Sequence, residues 1–199
     1  MNKLRLEEPG ATYHLCANAI DGRRLFHDEV DFGTYFGLLG DEVVESEWEL
    51  LEYVFMTTHV HLIVKLRKCT LSSGFRRLQS RYARAFNRRH RRRGVMWQKR
   101  FHDEMIETDG HLFEAIRYVA RNPVRAGMCD APEDYEWSSY GAAIGVHPRD
   151  PLVSERALLE LFARDAGTAR RRLRAFVEEK DPRVRRRQTR VRRASDGEK

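Results

Sequence analysis

The chain has 199 residues, 41% of them hydrophobic and 34% charged, with a formal net charge of +7. That length suits one compact domain with an appendage, and the apolar content supports a packed core rather than a disordered chain. Cys16, Cys69 and Cys129 form no CxxC pair, no run reaches the ~20 apolar residues of a membrane span, and the N-terminus lacks an apolar leader core, so a soluble cytoplasmic protein is expected.

The charge is unevenly placed. Residues 1–52 carry 12 acidic and 4 basic side chains, whereas residues 53–102 carry 14 Lys or Arg and no Asp or Glu. A solvated face ordinarily mixes signs, so a single-sign stretch of that length suits a polyanion, most simply nucleic acid. Basic charge alone does not separate DNA from RNA or from a membrane surface.

In chain order, ATYHLCANAI (11–20) reads as a strand followed by a turn at DGRR. Residues 28–46 carry Val30, Tyr35, Leu38 and Leu39 at the spacing of an amphipathic helix, weakened by Gly33 and Gly37. WELLEYVFM and VHLIVKL are adjacent strands of a hairpin joined through TTH. In the next segment Phe75, Leu78, Tyr82 and Phe86 recur at helical spacing, with Arg76, Arg77, Arg81, Arg84 and Arg88 on other faces. Gly94 ends that helix, and MWQKRFHDEMIE reads as a strand. A further helix starts near Gly110 and is expected to stop near Asn122, because Pro123 disfavours helical geometry in the residue before it. The order strand, helix, strand, strand, helix, strand, helix fits an α+β fold. It predicts a ferredoxin-like, mainly antiparallel four-stranded sheet with helices packed on it. Residues 147–180 read as a small helical C-terminal extension, two short helices with a glycine break. Residues 181–199 read as a basic tail, with seven arginines between 183 and 193 and too few apolar residues to build a core.

Two features suggest chemistry. His59 and His61 sit at i and i+2 of a strand, so both imidazoles share one face while Val60, Leu62, Val64 and Leu66 line the other. Such a pair can converge on one divalent ion or serve as ordinary structural histidines. In the helix from Gly110, Leu112, Ala115, Ile116, Val119 and Ala120 form one apolar stripe. Tyr118 falls away from its centre and shares a face with Glu114 and Asn122.

The segments FMTTHVHLIV, MWQKRFHDEMI, AIRYVARNPVRAGM and YEWSSY, in this order and spacing, resemble the single-tyrosine transposases. The likeness is to the REP-associated tyrosine transposases, within the superfamily of single-strand endonucleases that carry a His-hydrophobic-His motif. It covers about residues 9–146. The resemblance implies that His59 and His61 bind Mg²⁺ or Mn²⁺, that Asn122 completes the metal site, and that Tyr118 is the nucleophile. A tyrosine hydroxyl near pKa 10 is a poor nucleophile unless a metal at the phosphate assists it. The implied products are a 5′-phosphotyrosine link and a free 3′-hydroxyl. This chain has Thr57 and Thr58 where relatives commonly carry Pro or Ser and then Asn. His14, His102 and His111 are near enough in sequence context to compete as ligands, His111 on the Tyr118 face.

The implied partner is single-stranded or hairpin DNA from repeated palindromes, in the cytoplasm at the nucleoid, with no membrane. Phosphate contacts are expected from Arg76, Arg77, Arg81, Arg84, Arg88, Arg91, Arg92, Arg93, Lys99, Arg100, Arg121 and Arg125. Trp97 could stack on an unpaired base or pack in the core. The rival readings are a hairpin-binding protein without cleavage and a metal-dependent phosphodiesterase using water on RNA. Monomer or homodimer, and action of Tyr118 in cis or in trans, are left open.

Overall fold

The structure is a computed structural model that describes residues 7–98 and 101–179. The arginine-rich tail, Lys99 and Arg100 lie outside the described residues. The elements follow the expected order: β1 (Thr12–Asn18), α1 (Glu29–Glu45), β2 (Trp48–Phe55), β3 (His59–Leu66), α2 (Leu71–Arg89), β4 (His102–Ile106) and α3 (Asp109–Arg125). The strands form one sheet in the order β2-β3-β1-β4, and each neighbouring pair is antiparallel. The β2–β3 hairpin is closed by Met56, whose N–H donates to the His59 carbonyl at 2.8 Å.

Alternation of side chains along the strands gives the sheet two different faces. On one, Tyr13, Leu15 and Ala17 of β1 and Val60, Leu62 and Val64 of β3 meet Tyr35 and Leu39 of α1 and Phe75, Leu78 and Tyr82 of α2. On the other, Val54 and Ile63 lie beneath Leu112, Ile116 and Val119 of α3. That second core runs on into α4 (Tyr140–Ala143), α5 (Glu155–Glu160) and α6 (Ala166–Glu178) through Tyr140, Leu158, Leu173 and Val177. The C-terminal extension therefore packs into the same body as α3.

Local chemistry explains the helix boundaries. Asp28 caps α1 by accepting from the N–H groups of Val30 and Asp31, and the helix runs intact past Gly33 and Gly37 because its Tyr35 and Leu39 face is buried. At Gly74 of α2 a β-carbon would stand 2.5 Å from Ser46 Oγ and 2.6 Å from Glu42 Oε1. Only glycine lets α2 come this close to the end of α1. Thr108 caps α3 by accepting from His111 N–H at 3.1 Å.

Three expectations are corrected. α3 does not stop at Asn122 but continues through Pro123 to Arg125. Proline forfeits one helical hydrogen bond, and the turn is closed regardless by Ala126 N–H to the Asn122 carbonyl at 3.0 Å and Met128 N–H to the Pro123 carbonyl at 2.9 Å. The strand read over residues 96–107 is shorter, His102–Ile106. Before it, residues 96–98 follow the end of β1 instead, with Ile20 N–H donating to the Met96 carbonyl and Gln98 N–H to that of Asn18, which lets Met96 and Trp97 pack against the first core. The C-terminal helices are parted at residues 161–165, where Asp165 caps α6, and Gly167 sits inside its first turn.

The YEWSSY segment has a plain structural task. It lies along the outer edge of β2, with Phe55 N–H donating to the Trp137 carbonyl at 2.9 Å, Ser139 N–H to the Tyr53 carbonyl at 3.1 Å and the Tyr135 hydroxyl to the Phe55 carbonyl at 2.8 Å. An edge covered this way offers no open row of hydrogen-bonding groups to another chain.

Candidate active site

The register of the sheet builds the site. His61 of β3 lies opposite Cys16 of β1, and His59 opposite Asn18. Residues 14, 16 and 18 of β1 therefore share the histidine face, and β4 adds His102 and Glu104 opposite Cys16 and His14. This gives the sheet a polar strip beside the apolar patch on which α3 rests. α3 crosses it with the Tyr118 ring 5.4 Å from that of His61 and 5.9 Å from that of His14, centre to centre. One turn on, the Asn122 side chain hydrogen-bonds His59. His59 Nδ1 also lies 3.1 Å from the Thr58 hydroxyl, so a threonine at that position ties down the first histidine. His61 Nδ1 is 3.0 Å from His14 Nε2, and those two rings are stacked.

Burial sets the protonation of this group. Desolvation holds His61 down to about 2, and the neighbouring His14 and His59 add to the effect. His14 is held down to about 4, again first by burial, with Glu104 opposing and His102 and His111 reinforcing. Burial also lowers His59, partly offset by its bond to Asn122. At neutral pH the three imidazoles are uncharged, the state in which an imidazole can donate a lone pair to a metal.

The donor set fits a divalent cation. His61 is 3% exposed, and its Nε2 is buried with no hydrogen-bond partner. A buried polar atom without a partner costs stability and calls for a reason; a cation between His61 and His59, with the Asn122 amide alongside, supplies one. A second group able to hold a metal, His27, Asp31 and His90, has donor atoms within 4.8 Å of one another. It sits where α1 begins and α2 ends, across the sheet from Tyr118. Arg89 already places a guanidinium nitrogen 2.6 Å from Asp31 and 3.1 Å from His90 Nε2.

Tyr118 is 38% exposed, open enough to meet a strand from solvent. The guanidinium of Arg125 lies over its ring, 5.1 Å from the centre. The other cations are less gathered. Arg76, Arg84, Arg88, Arg91 and Arg93 are exposed on or just after α2, across the sheet from Tyr118. Arg92 leans over the Phe86 ring at 5.6 Å. Arg77 pairs with Glu42 and Glu45, and Arg81 with Asp41. Arg121 donates to the carbonyls of Val177 and Glu178 at the end of α6. Trp97 gives its indole N–H to the Gln79 carbonyl at 2.9 Å and rests half-buried near Tyr35 and Tyr82.

Two contacts carry weight that sequence reasoning had not assigned. His14 touches His61 directly, and its signal was the alternation of polar His14, Cys16 and Asn18 with apolar Tyr13, Leu15 and Ala17. Arg117 is buried on α3, its guanidinium 3.8 Å from the Phe176 ring centre and its Nε donating to the Phe176 carbonyl at 3.0 Å. No local pattern announces that contact.

Comparison with known proteins agrees with this fold. The family described as Transposase IS200 like matches residues 9–122, more than half of the chain. A protein of Haemophilus influenzae described as a REP-associated tyrosine transposase is 26% identical over 117 residues, 52% of this chain. The match spans 66% of that relative, just under two thirds of its length. A solved structure of a REP-associated tyrosine transposase bound to a REP hairpin superposes with a TM-score of 0.65 at 18% identity. That likeness, in fold, covers 76% of this chain and 89% of the other.

Proposed function

Because the chain belongs to the IS200-like transposase family, we propose that it is a metal-dependent single-strand DNA endonuclease and strand transferase that uses Tyr118 as its nucleophile. Its substrates are hairpins formed by repeated palindromes, the class of DNA on which the neighbouring structure is bound. The observation that carries this reading is the placement of Tyr118 beside His61 within one chain, with His61 Nε2 left bare. It supports action in cis, since tyrosine and histidines converge without a second copy.

Tyr118 Oη attacks the scissile phosphorus in line with the leaving O3′. The P–O3′ bond breaks as the tyrosyl P–O bond forms, leaving the 5′ end on the enzyme and a 3′-hydroxyl on the released strand. The phenol proton passes to solvent at the exposed end of the side chain, and the leaving oxygen takes one up. Because one phosphodiester is exchanged for another, the 3′-hydroxyl can reverse the step without an outside energy source. Arg125, whose guanidinium lies over the Tyr118 ring, would meet a phosphate oxygen there. Mg²⁺ or Mn²⁺ held by His59, His61 and Asn122 would offset charge on that phosphate. The two nitrogen donors suit Mn²⁺ better than Mg²⁺, which prefers oxygen and retained water.

The test is a covalent trap. Purified protein is mixed with end-labelled hairpins carrying single-stranded flanks, with Mn²⁺ or with chelator, and run on a denaturing protein gel beside Tyr118→Phe. A labelled band that needs the metal and vanishes in the variant is expected. Cleaved strand without an adduct in either protein would point to water as nucleophile, and tight binding without cleavage would leave a hairpin-binding protein.

A further inference from the structure

We propose that His14 sets the tautomer of His61 and so makes its buried Nε2 a ligand. This inference rests on the metal reading above and concerns a residue outside its ligand set.

Two neutral imidazoles in contact share one bridging proton. In the contact between His14 Nε2 and His61 Nδ1, 3.0 Å long, one neutral ring must donate and the other accept. If His14 donates, His61 carries its own proton on Nε2. That atom is buried with no partner, so it would carry an N–H with no acceptor and would have no lone pair to give. If His61 donates from Nδ1, its Nε2 presents a lone pair where a cation is wanted, and His14 carries its proton on Nδ1. Only the second arrangement gives the orphaned atom a use.

The surroundings favour it too. Glu104 is the cross-strand neighbour of His14, and a His14 N–H turned toward that carboxylate would leave Nε2 free to accept. His111 holds Glu104 from α3, its Nε2 3.5 Å from the carboxylate. The rings of His14 and His61 lie 5.1 Å apart at an interplanar angle of 26°. Metal-binding histidines generally have their second nitrogen engaged in this way, and loss of such a partner costs about 10–100-fold in affinity. Here the partner is another imidazole, not a carboxylate or a carbonyl.

The full chain, labelled with ¹⁵N and free of metal, would be examined by long-range proton–nitrogen NMR correlations that report which imidazole nitrogen bears the proton. Wild-type His61 should show its proton on Nδ1. His14→Phe should mix or reverse the His61 tautomer and weaken Mn²⁺ binding, measured by calorimetry, about 10–100-fold. His14→Gln, whose amide oxygen can accept from His61, should restore most of the affinity. Thermal melts of both variants show whether either has lost the fold. A His61 proton on Nε2 in the wild type would overturn the proposal, as would unchanged Mn²⁺ affinity in folded His14→Phe. A ligation shift at the nitrogens of His14 on adding Zn²⁺ would make His14 a ligand, not a positioning residue, and would also overturn it. Failure of the metal reading looks different: Mn²⁺ binding would be absent, or indifferent to His59→Ala, while the metal-free spectrum still decides which ring donates.

Discussion

The two faces of one sheet differ in kind. Toward α1 and α2, β1 and β3 present Tyr13, Leu15, Val60, Leu62 and Val64, all buried among aromatic rings. Toward α3, the same two strands present His14, Cys16, His59 and His61, and β2 adds Glu52, 1% exposed. From His59 to Leu62, β3 thus alternates between chemistry and packing, because a strand turns successive side chains to opposite sides. The first face gains stability from apolar area removed from water. The second gives some of it up by burying imidazoles, a carboxyl and a guanidinium, with His61 Nε2 and Glu52 Oε2 left without partners.

If that division is real, substitutions on neighbouring residues of β3 should separate cleanly. Leu62→Ala leaves a cavity in the first core and should cost about 2–5 kcal/mol. Urea unfolding would measure it, and Mn²⁺ affinity should stay within about twofold of wild type, since the side chain faces away from the histidines. His61→Leu should do the reverse, losing Mn²⁺ binding while removing a pH-dependent weakness. The folded value of His61 lies far below its ordinary 6.5, so in acid the unfolded chain takes up a proton that the folded chain refuses. Stability from this group is therefore full above about pH 6.5 and lost as pH falls, by about 2 kcal/mol between pH 8 and pH 5. The unfolding free energy of His61→Leu should have a correspondingly shallower pH slope, and an unchanged slope would show that His61 is not buried neutral.

Glu52 tests the same face with the opposite sign. Burial pushes its carboxyl well above the usual 4.5, so it is neutral in the fold and ionises in the unfolded chain. Its sign is opposite to that of His61: it favours the fold at low pH, and that benefit is lost as pH rises. Glu52→Gln should raise stability at pH 8 relative to pH 5, because the amide fills the same buried place but cannot ionise when the chain unfolds. A variant equally stable relative to wild type at both values would place the carboxyl in water.

What could be read from the sequence was what periodicity encodes. The i, i+2 histidines, the off-stripe Tyr118 and Asn122 one turn later are local patterns, and that they would meet was implied by the family resemblance rather than by their spacing. The antiparallel sheet with helices packed on it followed because alternating elements in a short chain leave few ways to pack. The parts that escaped depend on contacts between distant residues. That His14 would meet His61 requires knowing which strand lies beside β3. That Trp97 would turn inward, and that Arg77, Arg81 and Arg121 would be engaged within the protein, cannot be seen from charge and aromatic content alone. The extension of α3 past Pro123 was missed because the expectation weighed the proline locally, without the bonds from Ala126 and Met128 that close the turn.

The contacts of Arg117 and Arg121 with α6 have a mechanical consequence. α3 behaves as a beam pinned along both sides, to the sheet through Ile116 and Val119 and to the C-terminal helix through two guanidinium anchors one turn apart. Tyr118 stands between the anchors, so on the proposed reading the travel would belong to the DNA strand, drawn to the hydroxyl and away from it again.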